Sequence, residues 1–395
     1  MNVIELLEAE VLALPRDAIS EQTALRINAS RDFFLEFPSP ANDFQYQIQC
    51  LTKVGYIPID PDTMVRVSPK VAISNLFGML ELAYNLKSFK FFDGTVGIES
   101  INEVFENLAS ILASRILQRV RTGLHGEYVE YERDLPVVRG RIDALRTVRL
   151  LAIGGSSVSC QYEDHTRDID DNQILLGTLQ VVAKLDFQRP DVKLLVDKAR
   201  RALAGTITPR RIEPVECINR LYSRLNDDYA PMHGLCRFFL EHAGPGIDRG
   251  TSDLLPFVVD MPRLFETFVE RWLRMHTPES ILFTGQHIAK LDANKNLNFT
   301  IDIVMADRET RQPKAVIDTK YKRDDTPSES DIQQVVSYAV QMGVNKAFLV
   351  YPRKLPDPMI GRVGHVTVEA LAIDLSANIE DAAEQLLQDL MARIE

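Results

Sequence analysis

Residues 313–322 read PKAVIDTKYK, and residues 299–306 read FTIDIVMA. Both stretches are rich in apolar and β-branched residues, which predicts two strands, each carrying an aspartate: Asp318 in the first and Asp302 in the second. Alternate side chains of a strand share a face, so Asp318 and Lys320 are expected to point the same way. A carboxylate is expensive to bury without a partner. The pattern therefore predicts a cation beside the two aspartates.

These residue types suit the hydrolysis of a phosphodiester. Mg²⁺ prefers one or two carboxylates together with water and phosphate oxygens, and a bound divalent ion activates water as a nucleophile. Lys320 supplies a compact positive charge that can position this water or stabilise the transition state. The alternative is a chance D-x-K triplet whose Asp and Lys form a solvated ion pair on an exposed strand, which contributes little.

A helix is predicted upstream of the two strands, at residues 261–276. Its sequence, MPRLFETFVERWLRMH, sets Glu266 and Glu270 one turn apart, so the helix can add a third carboxylate. An apolar stripe on another face is expected to be buried. The stripe consists of Leu264, Phe265, Phe268, Trp272 and Met275.

Downstream of the strands, residues 328–342 predict a second helix, with Ser328 or Ser330 as its N-cap. This helix carries Gln334 and Tyr338 at i and i+4. Strands at residues 346–352 and 365–374 and an amphipathic helix from about Asn378 complete the predicted order.

The order of helix, strands, helix and strand resembles the PD-(D/E)xK nuclease core, and Gln334 with Tyr338 is similar to the Q-x-x-x-Y pair of its RecB-like branch. Further motifs extend the likeness from about residue 75 to 351. They are SNLFGMLELAY (74–84), RVRTGLHGEYVE (119–130), LPVVRGRID (135–143), CQYEDHTRDIDDNQILLGTL (160–179) and DMPRLFETFV (260–269). With these motifs the chain resembles the McrC family, the nuclease subunits of McrBC-type modification-dependent (type IV) restriction systems. Family members often have Asp-Ala-Lys where this chain has Asp-Thr-Lys, and Thr319 is expected to face away from the site.

The resemblance implies an α+β multidomain fold, in which a mixed β/helical N-terminal region precedes a C-terminal PD-(D/E)xK, restriction-endonuclease-like domain. Within that domain Asp302 and Asp318 are expected to hold Mg²⁺ or Mn²⁺, Glu266 to complete or orient the site, and Lys320 to be catalytic. Residues of the second helix, Gln334 and Tyr338, are expected beside the site or on the DNA backbone.

The resemblance also implies two partners. One is a hexameric McrB-like AAA+ GTPase, whose GTP hydrolysis the chain stimulates through its N-terminal part, and the other is double-stranded DNA, which the chain cleaves. No G-x-x-x-x-G-K-[ST] motif occurs, so the chain is not expected to bind a nucleotide through a P-loop of its own.

Three regions are expected along the 395 residues. Residues 1–70 read as a β-rich N-terminal piece, residues 71–245 as a mostly helical partner-docking region with a small sheet, and residues 250–395 as the nuclease domain. The Gly- and Pro-rich stretch 244–256 is the best linker candidate.

Composition favours a cytoplasmic enzyme subunit. The four cysteines show no C-x-x-C spacing, the N-terminus is acidic, and no stretch is apolar enough to span a membrane. The net charge is −11, and residues 251–395 hold 16 Lys and Arg against 22 Asp and Glu, so free DNA is expected to bind weakly.

Positive charge is concentrated in residues 115–150, with eight arginines against five acids. Arg139 and Arg141 alternate with Gly140 in a strand-like run, so both are predicted to project from one face toward an acidic partner surface or nucleotide phosphates. Salt bridges within the domain are the alternative. Residues His233, Cys236 and His242 also raise the possibility of a zinc site, but a fourth ligand is missing and their segment reads as an amphipathic helix.

Two other functions stay open at this point. One is an assembly and GTPase-activating subunit with a vestigial nuclease site, against which the intact Asp302, Asp318 and Lys320 speak. The other is a stand-alone RecB-like nuclease, against which the acidic composition and the N-terminal likeness speak.

Overall fold

The computed structural model describes residues 2–30, 32–60, 62–84, 86, 101–185, 187–243, 257–292, 297–322, 327–356 and 359–394. The chain forms two compact units, one of Met1–Phe105 with Pro245–Glu395 and the other of Glu106–Gly244. The division does not coincide with the predicted boundary at residue 70, since residues 71–105 belong to the first unit. The predicted linker at 244–256 lies outside the described residues.

The N-terminal part of the first unit is rich in strands, as predicted, and contains one helix that the sequence patterns did not reveal. Its elements are β1 (Asn2–Leu7), β2 (Val11–Leu14), α1 (Glu21–Ala29), β3 (Phe34–Glu36), β4 (Tyr46–Gln49), β5 (Lys53–Asp60), β6 (Thr63–Ser68) and α2 (Ile73–Ala83). Ser20 caps α1, since its side chain accepts a hydrogen bond from the Thr23 amide. One core lies between α1 and two sheets, of which one contains β1, β5 and β6 and the other contains β2, β3 and β4.

The second unit is mostly helical, with a small antiparallel sheet in the order β7-β9-β8. Its elements are α3 (Ile101–Thr122), whose first five residues belong to the first unit, β7 (Glu127–Leu135), β8 (Arg141–Ile142), α4 (Ala144–Ala152), β9 (Val158–Thr166), α5 (Asp170–Val182), α6 (Pro190–Ala204) and α7 (Tyr229–His242). A buried polar network holds the helices together: Asp171 pairs with Arg220 at 2.6 Å, and the Tyr229 hydroxyl donates to Asn172 at 2.6 Å.

The C-terminal part of the first unit follows the predicted order of helix, strands, helix and strand, with three additional strands, β10, β11 and β15, that the sequence patterns did not single out. Its elements are β10 (Phe257–Asp260), α8 (Met261–His276), β11 (Ile281–Asp292), β12 (Leu297–Asp307), β13 (Pro313–Thr319), α9 (Glu329–Met342), β14 (Lys346–Tyr351), β15 (Ile360–Val363), β16 (Val366–Ala372) and α10 (Ile379–Ile394).

Six of these strands form one sheet, in the order β11-β12-β13-β14-β16-β15. Strands β11, β12 and β13 are an antiparallel meander, whereas β13, β14 and β16 run parallel, so the last three end at one edge. Helix α9 packs on the sheet through Val335, Tyr338 and Ala339, in a core with Val316 and Leu349. Strand β10 pairs with β5, which joins this part of the unit to the N-terminal strands.

The apolar stripe of α8 is buried as predicted except at its end. Leu264, Phe265, Phe268 and Trp272 are at most 6% exposed, but Met275 is 54% exposed. The prediction for Met275 is wrong because it lies in the last turn, where the helix ends at His276.

All four cysteines are buried and carry free thiols. No helix in the described part of the chain is both long and apolar enough to cross a membrane.

Candidate active site

Two aspartates meet where β12 and β13 run side by side. Residues 315–317 are fully buried apolar side chains that fix β13 in the sheet, and Asp318, which follows them, is only 1% exposed. Asp302 lies on β12, directly before Ile303, and Ile303 pairs with Ile317 of β13. Its Oδ2 accepts hydrogen bonds from Thr319, at 2.8 Å from the amide nitrogen and at 3.0 Å from Oγ1. The prediction that Thr319 faces away from the site is therefore wrong, since both its amide and its hydroxyl contact Asp302 at the end of β13.

Lys320 joins the aspartates to helix α9. Its Nζ lies 2.7 Å from Asp318 Oδ2, which agrees with the prediction that these two side chains share a face. The same ammonium donates to Gln334 Oε1 at 2.8 Å, and Gln334 Nε2 donates to the Tyr338 hydroxyl at 2.7 Å. The Q-x-x-x-Y pair is thus connected to the aspartates through Lys320.

A second carboxylate faces Lys320 from α9, and the sequence patterns did not single it out. Asp331 Oδ1 lies 3.6 Å from Lys320 Nζ, and both carboxylate oxygens contact Lys322 Nζ, at 2.8 and 3.0 Å. Ser328 and Asp331 form the capping box of α9, as each side chain accepts the other's backbone N–H. The sequence feature that could have identified Asp331 is its capping-box spacing from Ser328, just after the D-x-K triplet.

Glu266 on α8 is the third acid of the site. It accepts a hydrogen bond from the Gln286 amide. Burial and the negative charges of Asp302 and Asp318 together raise the pKa of Glu266 to about 7, against the lowering effect of the hydrogen bond from Gln286. Glu270, one turn on, pairs with Arg274 at 3.1 Å instead.

The same electrostatics act on the strand residues. Burial and the charge of Asp302 raise the pKa of Asp318 to about 7, although Lys320 opposes the shift. Burial also raises the pKa of Asp302, against the two hydrogen bonds from Thr319. For Lys320, burial works to lower the pKa, but Asp318 and Asp331 outweigh it and the pKa is raised. The three carboxyls therefore repel one another in a partly dry site, and one ammonium does not neutralise them.

The donor set fits a small hard cation. Asp318 Oδ2 is buried and, apart from the ion-pair contact with Lys320, has no hydrogen-bond partner among the described residues. No three His, Cys, Asp or Glu side chains in the described part of the chain are arranged to hold a metal ion by themselves. Mg²⁺ does not require such a cage, because it keeps several waters and uses substrate phosphate oxygens. Asp302 and Asp318, with Glu266 beside them, would hold it.

A cavity of about 460 Å³ lies at the opposite edge of the six-stranded sheet, where β13 and β14 begin. Lys314, Lys346 and His365 are among its lining residues, and none of the described residues that line it is an acid. It is therefore separate from the acidic cluster.

The model of the family described as McrBC 5-methylcytosine restriction system component matches residues 48–352. The chain belongs to this family. The matched range includes Glu266, Asp302, Asp318, Lys320 and α9, so the site lies within the family's shared region. The resemblance inferred from the sequence motifs is confirmed at the level of the family.

This chain is 23% identical over 220 residues to the type IV methyl-directed restriction enzyme EcoKMcrBC of Escherichia coli (strain K12). That match covers 52% of this chain and 60% of the relative. A chain in the half-complex of Thermococcus gammatolerans McrB AAA+ hexamers with bound McrC matches over the full length of both chains, with 19% identity and a TM-score of 0.59, so the two share a fold. A chain of the T. gammatolerans McrBC complex is 22% identical, with 69% of this chain and 87% of that chain covered and a TM-score of 0.45.

Arg139 and Arg141, the two arginines predicted to face a partner, have different surroundings in the structure. Arg139 precedes β8, and Gly140 (φ +68°) separates it from Arg141, so the predicted single strand face does not form. Arg139 pairs with Asp164 at 3.0 Å and lies over the Tyr162 ring at 4.2 Å, which is the predicted alternative of an internal salt bridge. Arg141 is exposed and makes no ion pair with the described residues.

His233, which raised the zinc alternative, has both ring nitrogens engaged. Nδ1 accepts from the Tyr222 hydroxyl at 2.9 Å, and Nε2 donates to the Asp171 carbonyl at 3.0 Å. Burial lowers the pKa of His233 to about 4, so the ring is neutral at pH 7. These contacts make His233 a structural residue of the second unit.

Proposed function

We propose that this chain is the Mg²⁺-dependent endonuclease subunit of a McrBC-type restriction system and that it hydrolyses phosphodiesters of double-stranded DNA with a PD-(D/E)xK site. The observation that carries the proposal is the ion pair of Lys320 with Asp318, within a cluster of three mutually repelling carboxyls, of which Asp318 is buried and Asp302 and Glu266 are half-buried. A vestigial site would have no reason to retain this costly arrangement. The meander β11-β12-β13 between α8 and α9 supports the assignment to the PD-(D/E)xK fold.

In this mechanism Asp302 and Asp318 would hold the cation, and Thr319 fixes the orientation of the Asp302 carboxylate through its two hydrogen bonds. Mg²⁺ or Mn²⁺, when bound, activates a water molecule and neutralises charge on the phosphate. Lys320 holds its ammonium beside Asp318, where it can orient the attacking water and stabilise the extra negative charge of the transition state. Gln334 fixes the direction of Lys320, and Tyr338 fixes Gln334.

Glu266 has a pKa raised to about 7 by burial and by its acidic neighbours, which suits a group that exchanges a proton near neutral pH. It faces Asp302 and Asp318 from α8, so it can complete the cation site or accept a proton from the attacking water. Its hydrogen bond from Gln286 holds it toward the strands.

We further propose that the second unit binds an AAA+ GTPase partner and stimulates its GTP hydrolysis. The fold likeness to a chain from an assembly of McrB AAA+ hexamers with bound McrC supports this. So does helix α4, none of whose residues is buried and whose Leu145, Val148 and Leu151 are 54–75% exposed. Such an apolar face on a charged helix is typical of a protein interaction site. Arg139 and Arg141 lie just before this helix.

The buried free thiols support a reducing compartment, and we place the complex in the cytoplasm. The experiment that tests the function combines the purified chain, Mg²⁺, GTP and an McrB-type GTPase with duplex DNA that does or does not contain 5-methylcytosine. We expect cleavage that requires the divalent ion and is lost with Asp318→Asn. GTPase stimulation without any cleavage by the wild-type chain would instead favour the non-cleaving assembly subunit.

A further inference from the structure

One buried carboxylate beside the site takes no part in the mechanism above. Asp331 is 3% exposed, and it belongs to the first turn of α9 rather than to the strands that carry the other acids. Both of its oxygens contact Lys322 Nζ, and Oδ1 faces Lys320 Nζ at 3.6 Å. Helix α9 is thus bound to the segment after β13 by a carboxylate shared between two lysines.

The surroundings of Lys320 explain what this carboxylate can do. An ammonium has three donors on a flexible stem, and it needs several partners to hold one position. Asp318 and Gln334 are within hydrogen-bonding distance, at 2.7 and 2.8 Å, and Asp331 is the third polar neighbour. When Asp318 directs its oxygens to a cation, Lys320 loses its shortest contact. Gln334 and Asp331, one turn apart on α9, are then what remains to hold the ammonium.

Electrostatic repulsion gives a second reason why Lys320 needs the Asp331 carboxylate. A bound divalent ion and Lys320 repel each other, so the cation tends to displace the lysine from the site. Asp331 supplies a negative charge on the side of Lys320 that α9 occupies, and Lys322 keeps that carboxylate in place by contacting both of its oxygens.

We propose that Asp331 is a positioning residue that keeps the Lys320 ammonium in the site while Asp318 binds the cation. The proposal rests on the proposed nuclease function. Asp331 acts through Lys320, and it touches neither the cation nor the DNA.

The test compares four proteins in single-turnover DNA cleavage with the partner GTPase: wild type, Asp331→Asn, Asp331→Glu and Ser328→Ala. We expect Asp331→Asn to cleave about 10- to 100-fold more slowly, as is usual for partners of residues at a metal site. The DNA concentration for half-maximal rate and the affinity for Mg²⁺ should stay unchanged, and Asp331→Glu should recover part of the rate.

Ser328→Ala is the matched control because it removes the other half of the capping box and leaves the carboxylate beside Lys320. It should cleave at close to the wild-type rate. If Ser328→Ala is as slow as Asp331→Asn, or if Asp331→Asn cleaves like wild type, Asp331 only caps the helix and the proposal is overturned.

Crystal structures of the wild type and Asp331→Asn with Mn²⁺ separate this proposal from the nuclease function itself. Lys320 Nζ should stay beside Gln334 in the wild type and move away in the variant. An unchanged Lys320 in the variant would overturn the positioning role even if the wild type cleaves DNA. Failure of the wild type to cleave under any condition would overturn the nuclease function, and the catalytic consequence drawn here with it.

Discussion

The acidic site of the first unit and the arginine-rich sheet of the second unit use similar residues in opposite surroundings. Asp318 and Lys320 form an ion pair whose side chains are 2% and 12% exposed, whereas Arg139 and Asp164 form a pair at 48% and 47%. Burial shifts the pKa of Asp318 to about 7, while the exposed pair is screened by water and contributes little to stability. A charged motif therefore indicates chemistry where the fold keeps it dry, and indicates at most recognition where it is exposed.

The largest expected effect concerns the buried side of this comparison. Asp302→Asn, Asp318→Asn and Lys320→Ala should each reduce DNA cleavage by about 10²-fold or more, because in the proposed mechanism each removes a cation ligand or a catalytic charge. Cleavage is measured with the partner GTPase, GTP and Mg²⁺ present.

Asp307→Asn is the control for these variants, since it removes the carboxylate of the last residue of β12, which caps the following turn. It should cleave like wild type. Substantial cleavage by Lys320→Ala would remove this lysine from the chemistry.

A second prediction uses the buried histidine of the other unit. The pKa of His233 is lowered by burial to about 4 from the ordinary 6.5, so the unfolded chain binds a proton in this interval and the folded chain does not. Stability from this residue is therefore complete above pH 6.5 and falls as the pH drops toward 4, by about 3 kcal/mol in total. Denaturant unfolding at several pH values measures the slope.

His233→Gln keeps a polar side chain but removes the titrating ring, so its stability should fall less steeply between pH 6.5 and 4 than that of the wild type. Identical slopes in the two proteins would mean that His233 is not held neutral in the folded state.

The third prediction tests recognition at the exposed surface. Arg139→Ala combined with Arg141→Ala should reduce stimulation of the partner GTPase by about tenfold, as expected when arginines important for binding are truncated. Mg²⁺ binding should not change, since neither arginine belongs to the acidic site, whereas Asp318→Asn should show the reverse pattern.

Arg211→Ala combined with Arg224→Ala changes the charge of the same unit equally at other exposed positions, and it should leave the stimulation intact. A well-folded Arg139 and Arg141 double variant that stimulates fully would exclude this segment from partner activation.

The smallest effect is expected for DNA binding by the isolated chain. With a net charge of −11, it can release few counterions, so its Kd for duplex DNA at physiological salt should be about 10 µM or weaker. Fluorescence anisotropy measures this. Nanomolar, sequence-independent binding would favour the stand-alone nuclease.

The sequence predicted the site best where strand periodicity governs it. Asp302 and Asp318 follow runs of apolar residues, and the structure brings them together with Lys320 as the patterns indicated, whereas Gln334 was indicated by the family resemblance. Prediction was wrong for Thr319, because a strand end is set by pairing with the neighbouring strands and not by the local pattern.

Other features depend on contacts that are distant in the chain. The Tyr321 hydroxyl donates to the buried Glu8 at 3.3 Å, across 313 positions, and no local pattern announces such a pair. Gly140 adopts a positive φ, which ends the strand-like run that Arg139 was expected to share with Arg141.

The most direct test of the central claim is to locate a bound divalent ion by the anomalous scattering of Mn²⁺ in crystals of this chain. The account predicts a strong peak between the carboxylates of Asp302 and Asp318, with Lys320 beside it, and no such peak in Asp318→Asn. Saturating Mn²⁺ that leaves the position empty, with Lys320 still paired to Asp318, would contradict the assignment of this cluster as a metal-dependent nuclease site.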